Sequence, residues 1–255
     1  MQQANVRSII PMGFTFAALL AGFFSILKAG HGEYVLAAQL IALSMLLDGV
    51  DGIVARLMRG TSTLGAELDT FVDFCSFGIA PAVLAYEVAL KNFGGWGIVM
   101  ASAIVFAGGY RLARFRIVDP DRGQKGYLGL PITICAGWIL LFVFLFESDV
   151  LHYGVLTLDR GPMATFVWGC AMGFVVLEVS HIRYSKPTKE PLVFAIAIVG
   201  VTCLFLDLRL AHAATIGGLT FGFIYGFISP MLPKHDVIMA VDDEDEEDSL
   251  TIHPS

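Results

Sequence analysis

Long apolar stretches recur along the whole chain and are separated by short polar segments. A helix needs about 20 mostly apolar residues to cross the roughly 30 Å hydrocarbon core of a bilayer. Eight stretches reach about that length, and no strand or hairpin pattern competes with them. The predicted spans cover residues 9–28, 34–58, 66–90, 95–115, 128–147, 163–182, 191–207 and 210–229. The pattern therefore predicts an all-α integral membrane protein with about eight transmembrane helices.

Composition supports a membrane protein, because 56% of the residues are hydrophobic and only 15% are charged. The formal net charge of −7 arises from residues 242–248, where seven of the 23 acidic residues follow one another. The rest of the chain balances 16 acidic against 16 basic residues, so nothing predicts a nucleic-acid partner. We expect residues 234–255 to form a disordered acidic tail in the cytoplasm.

Basic residues are distributed unequally between the two sides of the predicted membrane domain. Twelve Lys and Arg residues fall on the side that carries both termini, and four fall on the other. Cytoplasmic loops of membrane proteins carry an excess of these residues. The predicted orientation in a cell inner membrane therefore has both termini in the cytoplasm.

Four aspartates lie where the second and third predicted spans approach the cytoplasm. Asp48 and Asp51 are spaced i, i+3, and Asp69 and Asp73 are spaced i, i+4, so each pair shares one face of a helix. Asp48 follows fourteen uncharged residues, 34–47, which span roughly 21 Å as a helix and place it inside the membrane near one surface. Two antiparallel helices would bring all four carboxylates into one pocket.

Such a pocket requires compensating cations, because four carboxylates cannot all stay ionised at close range. Oxygen ligands favour Mg²⁺, Mn²⁺ or Ca²⁺, and two divalent ions would balance the four charges. Gly52 and Gly65 leave room for a ligand, and Arg56 offers a fork suited to phosphate. The alternative interpretation is a proton or cation pathway through a transporter.

The pattern D-x2-D-G-x2-A-R-x8-G-x3-D-x3-D resembles the signature of the CDP-alcohol phosphotransferases, membrane enzymes that join a CDP-activated group to an alcohol and release CMP. The matching residues are Asp48, Asp51, Gly52, Ala55, Arg56, Gly65, Asp69 and Asp73. The resemblance implies that the first three aspartates hold two divalent cations, Mg²⁺ or Mn²⁺, and that Asp73 is the general base and also lies near a metal. It further implies that Gly52, Ala55, Arg56 and Gly65 bind the CDP moiety, and that the protein is a homodimer.

The resemblance also predicts how the chain is divided. A six-helix catalytic membrane domain would occupy residues 1–182, and a helical extension with two further spans would occupy residues 183–233. The acidic tail would follow.

Three further segments look like the phosphatidylserine synthase branch of this family, which uses CDP-diacylglycerol and L-serine. They are residues 76–82, 111–115 and 129–131. By this resemblance Arg111 and Arg114 hold the lipid phosphate or the serine carboxylate. Without the resemblance, arginines at a cytoplasmic helix end can equally bind anionic headgroups and fix topology.

Two positions depart from that branch, since Arg116 and Ala18 stand where asparagine is usual. A sister enzyme therefore stays open, with glycerol 3-phosphate, inositol or its phosphate, or choline as acceptor, or with an ether-lipid donor. Glu87 and Glu178 lie near the ends of predicted spans, and we expect both to reach water and to have structural roles.

Overall fold

A computed structural model describes residues 6–58, 63–118, 127–148, 158, 161–184, 191–206, 209–228 and 230. The first two helices, α1 (Val6–Gly30) and α2 (Tyr34–Met58), pack against each other along their length. The turn between them contains Gly32 at a φ of 80°, a left-handed conformation that glycine adopts without steric cost. The pair therefore forms a helical hairpin.

The remaining helices follow in chain order. They are α3 (Thr63–Asp73), α4 (Ala80–Val88), α5 (Gly95–Val118), α6 (Ile132–Glu147), α7 (Gly161–Val179), α8 (Pro191–Leu206) and α9 (Arg209–Phe223). Shorter helical turns of other types are the π-helical turns Phe74–Ile79 and Ile224–Ile228 and the 3-10 turn Leu90–Phe93. The all-α fold class predicted from the sequence is confirmed.

The third predicted span is one continuous helical path through α3, the π-helical turn Phe74–Ile79 and α4. The Ala80 N–H donates to the carbonyl of Cys75, five residues back, which is the π-helical pattern. Pro81 follows directly and has no N–H to donate, so the regular helical ladder is already interrupted there. The backbone therefore changes its winding immediately after Asp73.

Helix α6 lies at the centre of the bundle, where it packs against α2, α4, α7 and α9. Its sequence is apolar on all sides, as is typical of a helix enclosed by other helices. Trp138 lies within 5.1 Å of Phe174 and 4.8 Å of Phe142, measured between ring centroids. The contact between Trp138 and Phe174 joins α6 to α7 in the core.

Six helices in the described part of the chain are long and apolar enough to cross a membrane. They cover Pro11–Gly30, Tyr34–Val54, Leu64–Val88, Gly95–Ile117, Gly161–Val179 and Leu210–Ile228. Helices α6 and α8 have 16 residues each, about 24 Å at 1.5 Å per residue, which is shorter than the hydrocarbon core. The predicted count of eight spans is therefore not confirmed, although the chain is an integral membrane protein.

A two-stranded antiparallel ladder, which the sequence did not predict, joins two connections. Strand β1 (Tyr127–Leu128) pairs with β2 (Arg183–Tyr184), so that Tyr127 faces Tyr184 and Leu128 faces Arg183. Burial raises the pKa of Tyr184 to about 12, and its hydroxyl donates to the carbonyl of Gly226 at 2.9 Å. The ladder thus ties the start of α6 and the end of α7 to the segment that follows α9.

Candidate active site

The aspartates of α2 and α3 meet at the end of the bundle where these two helices are joined, here called the aspartate end. Carboxylate oxygens of Asp48, Asp51 and Asp69 lie within 4.8 Å of one another. The fourth, Asp73, lies close enough to Asp48 and Asp69 to interact with both electrostatically. The structure therefore brings together the four residues that the sequence pattern predicted to share a pocket.

This arrangement fits a divalent metal on its own chemistry. Three carboxylates that converge within 4.8 Å repel one another unless a cation or protons lie between them. Each offers hard oxygen ligands, which suit Mg²⁺ or Mn²⁺, and Asp51 is buried. The cluster can therefore hold a divalent ion, with Asp73 next to it.

Helix α1 contributes a hydroxyl to the cluster. The Thr15 hydroxyl lies 2.8 Å from Asp51 Oδ2, and it lies 3.1 Å from the carbonyl of Pro11 in its own helix. A hydrogen bond to one carboxylate oxygen orients the other oxygen for a ligand. The spacing of the residues could not predict this contact, because the two are 36 positions apart.

Close packing holds α1 against the helices that carry the aspartates. The carbonyl of Ala18 accepts hydrogen bonds from Ser44 at 2.9 Å and from Ser76 at 3.4 Å. A Cβ on Gly22 would overlap the side chain of Ser76, so glycine is needed for this approach. Ser76 therefore supports helix packing rather than contacting the cluster.

Arg111 lies on α5 between two acidic groups. The residue is buried, and its charge acts on both Asp73 and Glu178. The guanidinium carbon also lies 5.7 Å from the centre of the Phe115 ring. Arg111 is therefore the predicted arginine that the structure places beside the aspartates.

Arg114, one helical turn further along α5, contacts backbone instead. Its Nη1 donates to the carbonyl of Val179 at 2.7 Å, and its Nη2 donates to those of Leu128 and Glu178 at 2.9 Å. Two of these bonds satisfy carbonyls at the end of α7, which has no further turn to pair with them, and the third reaches β1. The ligand role predicted for Arg114 stays a prediction, and the observed contacts join α5, α7 and the segment before α6.

Gly129 allows this junction to close. Its φ of 79° is in the left-handed region, and its N–H donates to the carbonyl of Ile182 at 2.7 Å. A Cβ at this position would overlap both the carbonyl oxygen of Glu178 and the guanidinium of Arg114. The two motifs around Arg114 and Gly129, which are distant in sequence, thus form one structural unit.

The residues predicted to bind CDP lie on the two aspartate-bearing helices. Gly52, Ala55 and Arg56 are in α2, and Gly65 is in α3. Gly52 and Gly65 are partly buried, whereas the side chains of Ala55 and Arg56 lie outside the described atoms. Their role in binding CDP stays a prediction.

Arg116 and Glu178 lie in different surroundings, the first near the surface and the second buried. Arg116 forms an ion pair with the half-exposed Glu67 of α3, at the surface. Glu178 was expected to reach water, and this is wrong, because only 1% of the residue is exposed. The end of α7 is covered by α5 and by the segment around Gly129, which the sequence alone could not show.

Comparison with known proteins identifies the family of this chain. A family model described as CDP-alcohol phosphatidyltransferase matches residues 8–224. A CDP-diacylglycerol–serine O-phosphatidyltransferase of Helicobacter pylori strain J99 is 31% identical over 230 residues, which is 88% of this chain and 92% of the relative. One of the same name from Methanocaldococcus jannaschii is 32% identical over 219 residues, covering 82% of this chain and 94% of the relative. Because these matches include both aspartate-bearing helices, the chain belongs to the CDP-alcohol phosphatidyltransferase family.

Proposed function

We propose that this protein transfers the phosphatidyl group of CDP-diacylglycerol to the hydroxyl of L-serine, forming phosphatidylserine and CMP. The observation that carries the proposal is the convergence of Asp48, Asp51 and Asp69 within 4.8 Å, with Asp73 nearby, in a chain of this family. Serine is chosen as the acceptor because of the names of three relatives. The chain matches each of them over 92–94% of the relative's length, and all three are named CDP-diacylglycerol–serine O-phosphatidyltransferase.

Two divalent cations, Mg²⁺ or Mn²⁺, would be held by Asp48, Asp51 and Asp69, with Asp73 close enough to share one of them. When bound, the cations supply positive charge that offsets the charge of the pyrophosphate and of the departing CMP. Thr15 orients Asp51 through its hydroxyl. The nucleotide would lie along α2 and α3, against Gly52, Ala55, Arg56 and Gly65.

Asp73 is proposed as the general base. As the serine oxygen bonds to the lipid-side phosphorus, the bond from that phosphorus to the CMP oxygen breaks, and CMP keeps the electron pair. The hydroxyl proton passes to Asp73 and then to water. A carboxylate is a weak base for an alcohol, so its contribution comes from position and from proton transfer late in the step. Arg111, whose charge acts on Asp73, would hold a substrate anion there.

We also propose that the aspartate end faces the cytoplasm in a cell inner membrane, because Lys and Arg residues number twelve on that side and four on the other. A CDP-linked lipid and soluble serine would both be available on that side. A homodimer is proposed from the family resemblance.

The test is CMP release by the purified protein in liposomes that contain CDP-diacylglycerol and Mn²⁺ or Mg²⁺. Serine, glycerol 3-phosphate, inositol, inositol phosphate and choline are offered singly. We expect release with serine and its loss on chelation. Release with a different acceptor would replace the substrate and keep the family chemistry, whereas solute flux without CMP release would favour a transporter.

Asp73→Asn tests the assignment of the base. We expect this variant to fold and to bind CDP-diacylglycerol, while its turnover falls by about 10²–10⁴-fold, the usual contribution of a general base. Binding is measured with the CDP-lipid in liposomes, and turnover is measured as CMP release. Near-normal turnover of Asp73→Asn would show that another group accepts the proton.

A further inference from the structure

Glu178 is a buried carboxylate that the proposed reaction does not use. Only 1% of the residue is exposed, and neither carboxylate oxygen has a hydrogen-bond partner among the described residues. Burying an ionisable group without hydrogen bonds has a large free-energy cost. A protein retains such a group where a ligand completes its contacts, or where a neighbouring charge requires it.

The surroundings of Glu178 point toward the active site. Its charge interacts with Arg111 on α5, which in turn interacts with Asp73, and on the α6 side it acts on Cys135. Arg111 therefore interacts with two acidic groups, Asp73 and Glu178. One of the two, Asp73, is the proposed base.

Hydrogen bonds to backbone carbonyls hold the end of α7, which carries Glu178. Arg114 donates to the carbonyls of Glu178 at 2.9 Å and of Val179 at 2.7 Å, and the Leu130 N–H donates to the carbonyl of Leu177 at 3.1 Å. The end of α7 is thus held on three successive residues. The carboxylate is presented to the interior of the bundle by a rigid segment, as a binding group needs to be.

Serine, the proposed acceptor, carries two charged groups that are opposite in sign to Arg111 and Glu178. Free serine carries a carboxylate and an ammonium on the carbon next to its hydroxymethyl group, and it has no net charge. A buried guanidinium beside a buried carboxylate can receive such a zwitterion without burying a net charge. The cation binds the carboxylate, the anion binds the ammonium, and the hydroxyl then lies toward Asp73.

We propose that Glu178 is a specificity-determining residue that binds the α-ammonium group of the serine acceptor, while Arg111 binds its carboxylate. This inference rests on the proposed function. The same pair disfavours the other acceptors: Glu178 repels a phosphorylated alcohol, inositol has no charge for either group, and choline has no carboxylate for Arg111.

The test compares acceptors that lack one charged group. 3-Hydroxypropionate is serine without the amino group, and ethanolamine is serine without the carboxylate. CMP release from CDP-diacylglycerol is measured with each acceptor, for the unmodified protein and for Glu178→Gln. Glu87→Gln is the matched control, since Glu87 lies near the end of α4 away from the aspartates and pairs with Lys91 of the 3-10 turn that follows. Its activity should equal that of the unmodified protein.

We expect the unmodified protein to prefer serine over 3-hydroxypropionate by about 100-fold or more in kcat/KM, as sites built to bind a polar group reject analogues that lack it. Glu178→Gln should lower kcat/KM for serine by roughly 30-fold or more but change that for 3-hydroxypropionate only about threefold, with KM for CDP-diacylglycerol unchanged. Glu178→Asp, which keeps the charge, should restore part of the preference.

Three outcomes would overturn the Glu178 assignment alone, and a fourth would overturn the proposed function with it. Equal losses with serine and 3-hydroxypropionate in Glu178→Gln would show a structural role only. Unchanged kinetics with serine would show no role. Equal use of the two acceptors by the unmodified protein would show that the ammonium is not recognised, and this arm decides even if the variant does not fold. Absence of CMP release with serine in the unmodified protein would instead overturn the proposed function, and the Glu178 assignment with it.

Discussion

Replacing Arg114 with methionine removes all three of its hydrogen bonds and leaves an apolar side chain about as long as the aliphatic part of arginine. The lost bonds reach the carbonyls of Val179, Glu178 and Leu128 at 2.7, 2.9 and 2.9 Å. A hydrogen bond to a charged group contributes about 1.5–3 kcal/mol net. Because water and small backbone shifts recover part of this at a helix end, we expect the free energy of unfolding to fall by about 3–5 kcal/mol.

The assay is thermal unfolding of the detergent-solubilised protein, followed by tryptophan fluorescence. For soluble chains of 150–250 residues each kcal/mol corresponds to about 2–4 °C, so Arg114→Met should lower Tm by on the order of 10 °C. Arg114→Lys should recover only part of this, because an ammonium group is a point donor and does not match the fork of three carbonyls. Arg116→Met is the control, since its ion pair with the half-exposed Glu67 contributes below about 1 kcal/mol.

Kinetics of the folded variant decide between support of the fold and binding of a ligand. If Arg114 acts through the backbone contacts, the KM values for CDP-diacylglycerol and serine should stay within about twofold of those of the unmodified protein, measured well below Tm. An unchanged Tm together with a KM raised about tenfold for either substrate would refute this reasoning and establish Arg114 as a ligand-binding group.

Three further changes test other parts of the site. Asp69→Asn removes one of the three clustered carboxylates, and it should raise the Mn²⁺ concentration for half-maximal CMP release at least about tenfold in a metal titration. Thr15→Val removes the hydroxyl that contacts Asp51, so the same titration should shift by about tenfold, whereas Thr15→Ser should stay near the unmodified protein. Gly129→Ala places a Cβ against a backbone carbonyl of α7 at a φ of 79°, and Tm should fall by on the order of 5 °C or more. Gly95→Ala, where a Cβ would meet nothing within 4 Å, should leave Tm unchanged.

The aspartate cluster could be predicted because the spacing of neighbouring residues along two helices is enough to place the carboxylates. The i, i+3 spacing of Asp48 and Asp51 and the i, i+4 spacing of Asp69 and Asp73 place each pair on one helical face. A short connection then turns the two faces toward each other. The apolar windows likewise located the helices, since a membrane requires every lipid-exposed backbone group to be satisfied within a helix.

The rest of the site could not be predicted because it depends on tertiary contacts between distant residues. The bond from Thr15 to Asp51 spans 36 positions, and the partners of Arg114 are backbone carbonyls, which any residue could supply. Glu178 was expected to reach water because it lies near a helix end, yet it is buried. Hydrogen bonds from Arg114 and from the Gly129 and Leu130 N–H groups hold α5 and the segment before α6 against that end of α7. The span predicted at residues 128–147 is not confirmed, because α6 has only 16 residues and many of its apolar side chains are buried against other helices.

The charges at the aspartate end connect the aspartate cluster, Arg111 and Glu178 in one electrostatic arrangement. A low dielectric strengthens attraction between opposite charges and repulsion between like charges, so buried charges must alternate. Cations at the aspartates, Arg111 near Asp73, and Glu178 near Arg111 would satisfy that requirement. A pyrophosphate at the cations, a carboxylate at Arg111 and an ammonium at Glu178 would extend the same alternation to the substrates. The junction built by Arg114 and Gly129 matters to this chemistry because it holds the backbone of Glu178 in place.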